Sequence, residues 1–483
     1  MTEQVKPGNK MADMPIAKLI VTMALPMMLS MMIQALYNIV DSVFIGMLPE
    51  RAEALQALGY AYPVQMLMVA LGVGTGVGAG ALLSKALGMN DGKKADSAAG
   101  NGYFLMLCFT LVFAIFGLCV FFGGVYFDIC TSNAVVAEYG RQYLGICLIF
   151  SLGQFVQLMG ERTLCSTGRT NLAMIMQLAG ALTNIALDPL FIFVFDMGIV
   201  GAAVATVIGQ WVAMIVGFIL DVRLNKEIRV SVKAIVTPSA RSLGDIFKVG
   251  LPAVVLQCLQ SLTTLVMQIT FGFLYSGAEK DMLVGIYGIF YKLQYFVLML
   301  VYGLNNAAIP VIAFNYGMGN GERVKRAIGA STIVAVIIGV LGLVLFEAAP
   351  EPLLRCFNAS DVAVGTLKSE FTTGVRIMRI SATAFPLAAC SIIFAAAFQA
   401  LGLGLRSMTV ALIRLLVVLM PACYLMGRFF GADNIWWGSV IAEAAAFVYA
   451  LATMLFVVKK YVSPLNKYRE NAEAAIRDEL QGE

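Results

Sequence analysis

Apolar residues along this chain come in long unbroken runs separated by short polar loops. About twelve such blocks, each of roughly 20–30 residues, lie near 17–46, 57–84, 99–127, 138–164, 170–195, 200–222, 245–275, 283–312, 326–348, 370–398, 408–427 and 435–458. That is the length a helix needs to cross a bilayer. Barrel strands would read as short alternating segments, which these are not. A helix also satisfies its own backbone hydrogen bonds in hydrocarbon. The pattern predicts an all-α integral membrane protein with twelve transmembrane helices.

The polar breaks between the runs repeat. Leu25-Pro26 opens span one and Leu251-Pro252 opens span seven. Leu87-Gly-Met-Asn-Asp-Gly92-Lys-Lys follows span two, and Tyr316-Gly-Met-Gly-Asn-Gly321-Glu-Arg follows span eight. Ser166-Thr-Gly168-Arg-Thr precedes span five and Gly402-Leu-Gly404-Leu-Arg406 precedes span eleven, while Cys130 and Cys356 fall at matching places. The pattern is that of a duplicated six-helix unit. Six is even, so both halves enter the membrane in one orientation, as parallel repeats about an axis along the membrane normal. The expected organisation is a cytoplasmic segment over 1–16, an N-lobe over 17–222 (spans one to six) and a basic linker over 223–242. A C-lobe over 243–458 (spans seven to twelve) and a cytoplasmic tail over 459–483 follow. Two packed lobes with a cleft between them are the usual physical basis for alternating access.

Composition agrees with this class. The 483-residue chain is 60% hydrophobic and 13% charged, with mean hydropathy +0.85; a soluble chain would carry about twice the charge. No small-residue cleavage site follows a short apolar core, so span one is expected to be retained. Lys and Arg concentrate before span one, in alternate loops and after span twelve. The opposite loops hold Arg51, Arg141, Lys280, Arg355, Lys368 and Arg428. This asymmetry predicts a multi-pass protein of a bacterial-type cytoplasmic (inner) membrane with both termini cytoplasmic. The net charge of +4 is then a topology signal, and no nucleic-acid partner is expected. The nine cysteines are scattered without C-x-x-C spacing, and histidine is absent, which argues against zinc, haem and redox sites. No Walker, G-x-S-x-G or zinc-protease pattern appears; neither an enzyme nor an ATP-driven pump is expected. Gly72, Gly74, Gly76, Gly78 and Gly80 alternate inside span two, a pattern for close helix packing or flexing rather than for a phosphate loop.

Candidate chemistry centres on two carboxylates inside apolar spans, Asp41 in span one and Asp188 in span five. An acid in hydrocarbon costs about 2.5–3.5 kcal/mol even on insertion scales, so it marks a functional position by default. Both lie in the outer half of their spans, with Thr206 of span six at the same depth. Gln34, Tyr37, Asn38 and Asp41 share one helix face, as do Asn184 and Asp188. Two carboxylates, an amide oxygen, a hydroxyl and a phenol can surround a hard monovalent cation, or a carboxylate can carry a proton. Pro189 frees the carbonyl near Ile185 and is expected to bend span five there. The bland alternative for Asn38, Asn184 and Thr206 is polar glue between helices. Met267 stands at the repeat-equivalent of Asp41 and Tyr424 near that of Asp188, so the site is expected in the N-lobe alone.

Other polar residues are candidates for substrate contact or gating. Glu161 and Arg162, near the inner end of span four, suit a gate, an interfacial position or a local pair. Lys292, Arg379 and Arg414 lie in C-lobe spans, where an unneutralised cation would oppose a cationic ligand; Glu443 is a candidate partner, and snorkelling of Arg414 is the bland reading. Tyr287, Phe290, Tyr291, Tyr295 and Phe296 of span eight suit amphipathic ligands and equally suit lipid-facing packing.

Nearly the whole chain resembles the multidrug and toxic compound extrusion (MATE) transporters. The likeness rests on Tyr37-Asn38-Ile-Val-Asp41, the glycine-rich second span, and Ser166-Thr-Gly168-Arg-Thr running through Asn184-Ile-Ala-Leu-Asp188-Pro to Gly198-Ile-Val-Gly-Ala-Ala-Val-Ala-Thr206. By that likeness, Asp41, Asn184, Asp188 and Thr206, with Tyr37 beside them, correspond to an N-lobe cation or proton site. The resemblance implies antiport, in which Na+ or H+ entry drives efflux of organic, often cationic, compounds. Some members carry essential acids in spans seven and ten; this chain has Gln257, Gln260 and Gln268 in span seven and Arg376 and Arg379 in span ten, so a one-lobe mechanism is favoured. The expected function is a monomeric, cation-coupled exporter of small organic molecules that works in the lipid bilayer by alternating access, with no cofactor other than the coupling ion. Its rivals are a lipid-linked oligosaccharide flippase of the same superfamily, which needs a wide cationic cavity, and a membrane scaffold or receptor without transport.

Overall fold

A computed structural model describes residues 9–48, 51–225, 227–228, 232–358 and 367–466. All regular structure among the described residues is helical. Ten helices are long and apolar enough to cross a membrane, and twelve result when each of two bent pairs counts as one span. Those pairs are Ala134–Ile149 with Leu152–Ser166, bent by 49°, and Thr372–Ala382 with Phe385–Ala400, bent by 45°. They are spans four and ten, so the break occurs at the same place in each half. In span ten, Pro386 sits in the first turn of the second segment, where a missing N–H is harmless.

Span five is helical over Thr170–Pro189 and continues as a wider π turn over Leu190–Val194. Span eleven does the same, with Gly404–Leu412 followed by a π turn at Ile413–Val417. A π turn thus follows directly on Pro189, and the extra residue in such a turn redirects the side chains.

The sequence repeat is visible in local geometry. After span two, Asn90 has φ 56° and the N–H of Asp91 bonds Ala86 O; after span eight, Gly319 has φ 70° and the N–H of Asn320 bonds Asn315 O. Asp91 and Asn320 then cap the next helices, accepting from the N–H of Lys94 and Arg323, each at 3.0 Å. Before spans five and eleven, Gly168 (φ 82°) and Gly402 (φ 78°) supply the left-handed residue, followed by the same six-residue closure, Arg169 N–H to Leu164 O and Leu403 N–H to Phe398 O. Each is a helix stop that needs a residue tolerant of positive φ.

By compactness the chain divides into two units, residues 1–14 with 21–254, and 15–20 with 255–483. The division falls inside the helix Ala240–Leu274 rather than in the polar linker 223–242, because the start of that helix packs on span two. The glycines of span two explain this contact. A Cβ on Gly78 would lie 2.4 Å from Ile246 O, and one on Gly74 would lie 2.7 Å from Val254 N. On the other face, Cβ atoms at Gly72, Gly76 and Gly80 would meet Leu158, Arg162 and Ser166 of span four. The alternating glycines therefore serve packing on two sides. Gly78→Ala should destabilise the protein by about 1–3 kcal/mol, because a backbone carbonyl cannot rotate away. Gly92→Ala, with open space around its Cβ, should change little; equal melting temperatures for the two variants would reject this packing role.

The short helix Lys10–Asp13 departs from the expectation of a plain polar tail. Met11 is fully buried, and its side chain and that of Lys10 lie against Gly168. Burial, with Arg169 nearby, lowers the Lys10 ammonium below its usual range. In the second unit the core is aromatic, with Phe271, Tyr287, Phe346, Phe385 and Trp436 buried together.

Candidate functional site

Span one stays helical through Asp41 to Ile45, which carries the carboxylate into the first unit. In span five, Asn184 and Asp188 are one turn apart and both buried, Asp188 completely. The Asn184 amide donates to Asp188 Oδ1 at 3.3 Å and, at 3.5 Å, to Thr206 Oγ1 of span six. Asp41 lies within electrostatic range of Asp188 and of Tyr37, whose phenol is hydrogen-bonded to Gln34. The structure therefore gathers Gln34, Tyr37, Asp41, Asn184, Asp188 and Thr206 in the first unit; the side chain of Asn38 lies outside the described residues.

The telling atoms are acceptors. Asp41 Oδ1, Asn184 Oδ1 and Asp188 Oδ2 are buried and receive no hydrogen bond. Buried polar atoms are nearly always paired, and three unpaired oxygens from two helices make a place for a positive species. Asp41, Asn184, Asp188 and Thr206 have the hard oxygen donors that suit Na+; two neighbouring carboxylates equally suit a proton held between them. Either ion would be a co-substrate, taken up and released in each cycle.

Sequence reasoning missed three neighbours. Tyr143 and Cys147, one turn apart in span four, lie within electrostatic range of Asp41, and both bond Gln65 of span two. The i, i+4 spacing of Tyr143 and Cys147 was a signal, but nothing in the sequence directed that face toward Asp41.

Glu161 is 1% exposed and packs inside the helix bundle. Its Oε2 accepts from Gln177 at 2.6 Å, and Gln177 accepts from Gln157 at 3.0 Å. This is a half-buried polar chain between spans four and five. Arg162 is buried beside Gly76.

In the second unit, Lys292 is exposed, and Arg379 is exposed with Glu347 3.6 Å away. Arg414 does not snorkel. It is 8% exposed and its Nε donates to Glu443 Oε1 at 2.5 Å. The pair joins spans eleven and twelve, and Arg414 lies in the π turn. Tyr291 lines a cavity together with both.

The MatE family model matches two stretches, residues 26–190 and 252–425, which begin at the prolines that open spans one and seven. Curated relatives include the multidrug export protein MepA of Staphylococcus aureus (strain bovine RF122 / ET3-1), 27% identical over 92% of this chain and 94% of its own. MepA of Staphylococcus haemolyticus is 26% identical over 92% and 96%. Among solved structures, an outward-facing multidrug resistance MATE transporter of the MOP superfamily superposes with TM-score 0.86 at 23% identity, covering 95% of this chain and 99% of that one. A MATE bound to MaL6 gives 0.85 at 24% identity, over 95% and 99%; these likenesses speak for the fold. With both halves matched, the chain belongs to the MatE family of multidrug and toxic compound extrusion transporters.

Proposed function

We propose that this chain exports drug-like organic molecules in exchange for H+ or Na+, using Asp41, Asn184, Asp188 and Thr206 as the ion site. The three unpaired oxygens of Asp41, Asn184 and Asp188 carry the reading. A cation or proton there supplies what the oxygens lack and favours the helix arrangement that closes around it; substrate favours another arrangement. An ion drives transport only through its different affinity for the two states. Tyr37, tied to Gln34, orders the wall beside Asp41. The polar chain of Gln157, Gln177 and Glu161 is a candidate gate between spans four and five. The protein would work as a monomer in the cytoplasmic membrane with both termini in the cytoplasm, exporting organic and often cationic compounds. The flippase alternative loses support, because Arg414 is neutralised by Glu443 and Arg379 is exposed beside Glu347.

The test is efflux of a fluorescent organic cation from energised cells, with and without Na+, by the wild type and by Asp41→Asn. Loss in the variant, at equal expression, is the expected result. A Na+ requirement in the wild type identifies sodium as the driving ion, and collapse by a protonophore in Na+-free medium identifies the proton. Undiminished efflux by Asp41→Asn would remove the ion site from the mechanism.

A further inference from the structure

The cavity bordered by Tyr291, Arg414 and Glu443 lies wholly within the second unit. Its walls are aromatic. Tyr287 stacks on Trp436 with ring centroids 6.0 Å apart and planes at 18°, and Tyr291 lies 6.1 Å from Tyr287. Such walls suit a flat ring, but they do not by themselves select one.

Two polar atoms among the lining residues do select. Trp436 is 2% exposed and Glu443 8% exposed. Trp436 Nε1 and Glu443 Oε2 are both buried without a hydrogen-bond partner, and both residues line this cavity. They are complementary in kind, since an indole N–H only donates and a carboxylate oxygen only accepts. Arg414 holds the other carboxylate oxygen, Oε1, which fixes the carboxylate and leaves Oε2 without a donor. Trp436 precedes the helix Trp437–Val457 and Glu443 comes seven residues later. Two turns put them on one face, about 10 Å apart along the axis. Ser439, between them on the same wall, is not a third such atom, because its hydroxyl donates to Trp436 O at 2.7 Å. The Arg414–Glu443 pair carries no net charge, so the cavity does not repel a cation.

We infer that this cavity binds an elongated flat aromatic molecule with an N–H donor at one end and an oxygen acceptor at the other. The donor, an amine or primary ammonium, meets Glu443 Oε2. The acceptor, a carbonyl or carboxylate, meets the Trp436 indole N–H. The ring lies against Tyr287 and Tyr291. This deepens the export reading and rests on it for the role of the ligand as cargo; binding itself does not depend on it. It also sets a selectivity: an ammonium that bears hydrogens is preferred to a quaternary one of equal charge, because a site built for a hydrogen bond discriminates against a ligand that cannot make it.

The probe is fluorescent 6-(aminomethyl)naphthalene-2-carboxamide, with its trimethylammonium analogue for comparison. Both are titrated by fluorescence anisotropy against the full-length protein in lipid nanodiscs. Wild type should bind the primary ammonium about tenfold more tightly than the quaternary analogue. Trp436→Phe, which keeps the ring and removes the N–H, should weaken the primary ammonium probe several-fold, and Glu443→Gln should erase the preference between the two probes. Since Glu443→Gln disturbs a buried pair and can impair folding, Trp436→Phe carries the test alone if that variant is not recovered. Equal affinity for the two probes, an unchanged affinity in Trp436→Phe, or no saturable binding overturns the assignment. Failure of the export reading is distinguishable, since the probe would then bind with the predicted selectivity while no ion gradient drives it out of cells. Gradient-driven efflux of the probe with unselective binding would overturn the cavity alone.

Discussion

Asp188→Asn is expected to abolish gradient-driven efflux and to raise the melting temperature of the purified protein. The two effects have one cause. Asp188 is fully buried, its Oδ2 receives no hydrogen bond, and Asp41 Oδ1 and Asn184 Oδ1 nearby are in the same state. Three acceptors without donors are unfavourable unless a positive species visits them, and each unmet buried group costs about 1–3 kcal/mol. Asparagine replaces one acceptor with an NH2 that can donate to a neighbouring oxygen, so the fold should gain about 1–2 kcal/mol. The same change removes the negative charge that makes ion occupancy favourable, and coupling is lost. Functional sites commonly hold this kind of local conflict, and relieving it stabilises the protein at the expense of activity. Efflux and thermal unfolding, measured on one preparation of the variant, check both halves. If sodium is the co-substrate, the wild-type melting temperature also rises with Na+ concentration by mass action, and that of Asp188→Asn does not. Lost efflux with a lower melting temperature would make Asp188 a structural residue of the span five and six contact. Normal efflux would exclude it from coupling.

What could be read before the structure depended on range. The helices follow from run length alone, because hydrocarbon allows a spanning chain few alternatives. The repeated stops at Asn90 and Gly319, and at Gly168 and Gly402, follow from residues that tolerate positive φ. Asn184 and Asp188 were placed on one face by a four-residue spacing, which is local geometry. The break in span four was hidden, since it falls at Phe150 and Ser151 without a proline, whereas Pro386 in span ten was an available signal. Contacts between helices distant in sequence left no local mark. Gln65 beside Tyr143 and Cys147, and Gln177 on Glu161, arise from how helices are rotated against one another, and apolar runs with little periodicity do not encode that rotation. Glu443 could be named as a candidate partner of Arg414 but not placed beside it for the same reason, since the two lie 29 residues apart in apolar surroundings.

That partner leads to the second large effect. Arg414→Leu or Glu443→Leu alone should destabilise the protein by about 3–5 kcal/mol, because each leaves an uncompensated charge in an apolar interior. The double variant, Arg414→Leu with Glu443→Leu, should recover most of that loss, since a buried pair and an apolar replacement of similar volume are often close in stability. A double-mutant cycle by thermal unfolding would then give a coupling energy of several kcal/mol, far above the few tenths expected of independent sites. A coupling near zero would mean that the contact in the π turn adds nothing to the fold. If the pair is replaceable for folding, its presence needs another reason, and the cavity it borders provides one. An exporter of cationic molecules that kept Arg414 unpaired would repel its ligand, and one that kept Glu443 unpaired would bear a buried charge whenever the cavity is empty. Together they give a fixed carboxylate oxygen without net charge. The double variant should therefore be nearly as stable as the wild type and yet fail to distinguish a primary ammonium from a quaternary one, which separates the pair's part in recognition from its part in holding the helices together.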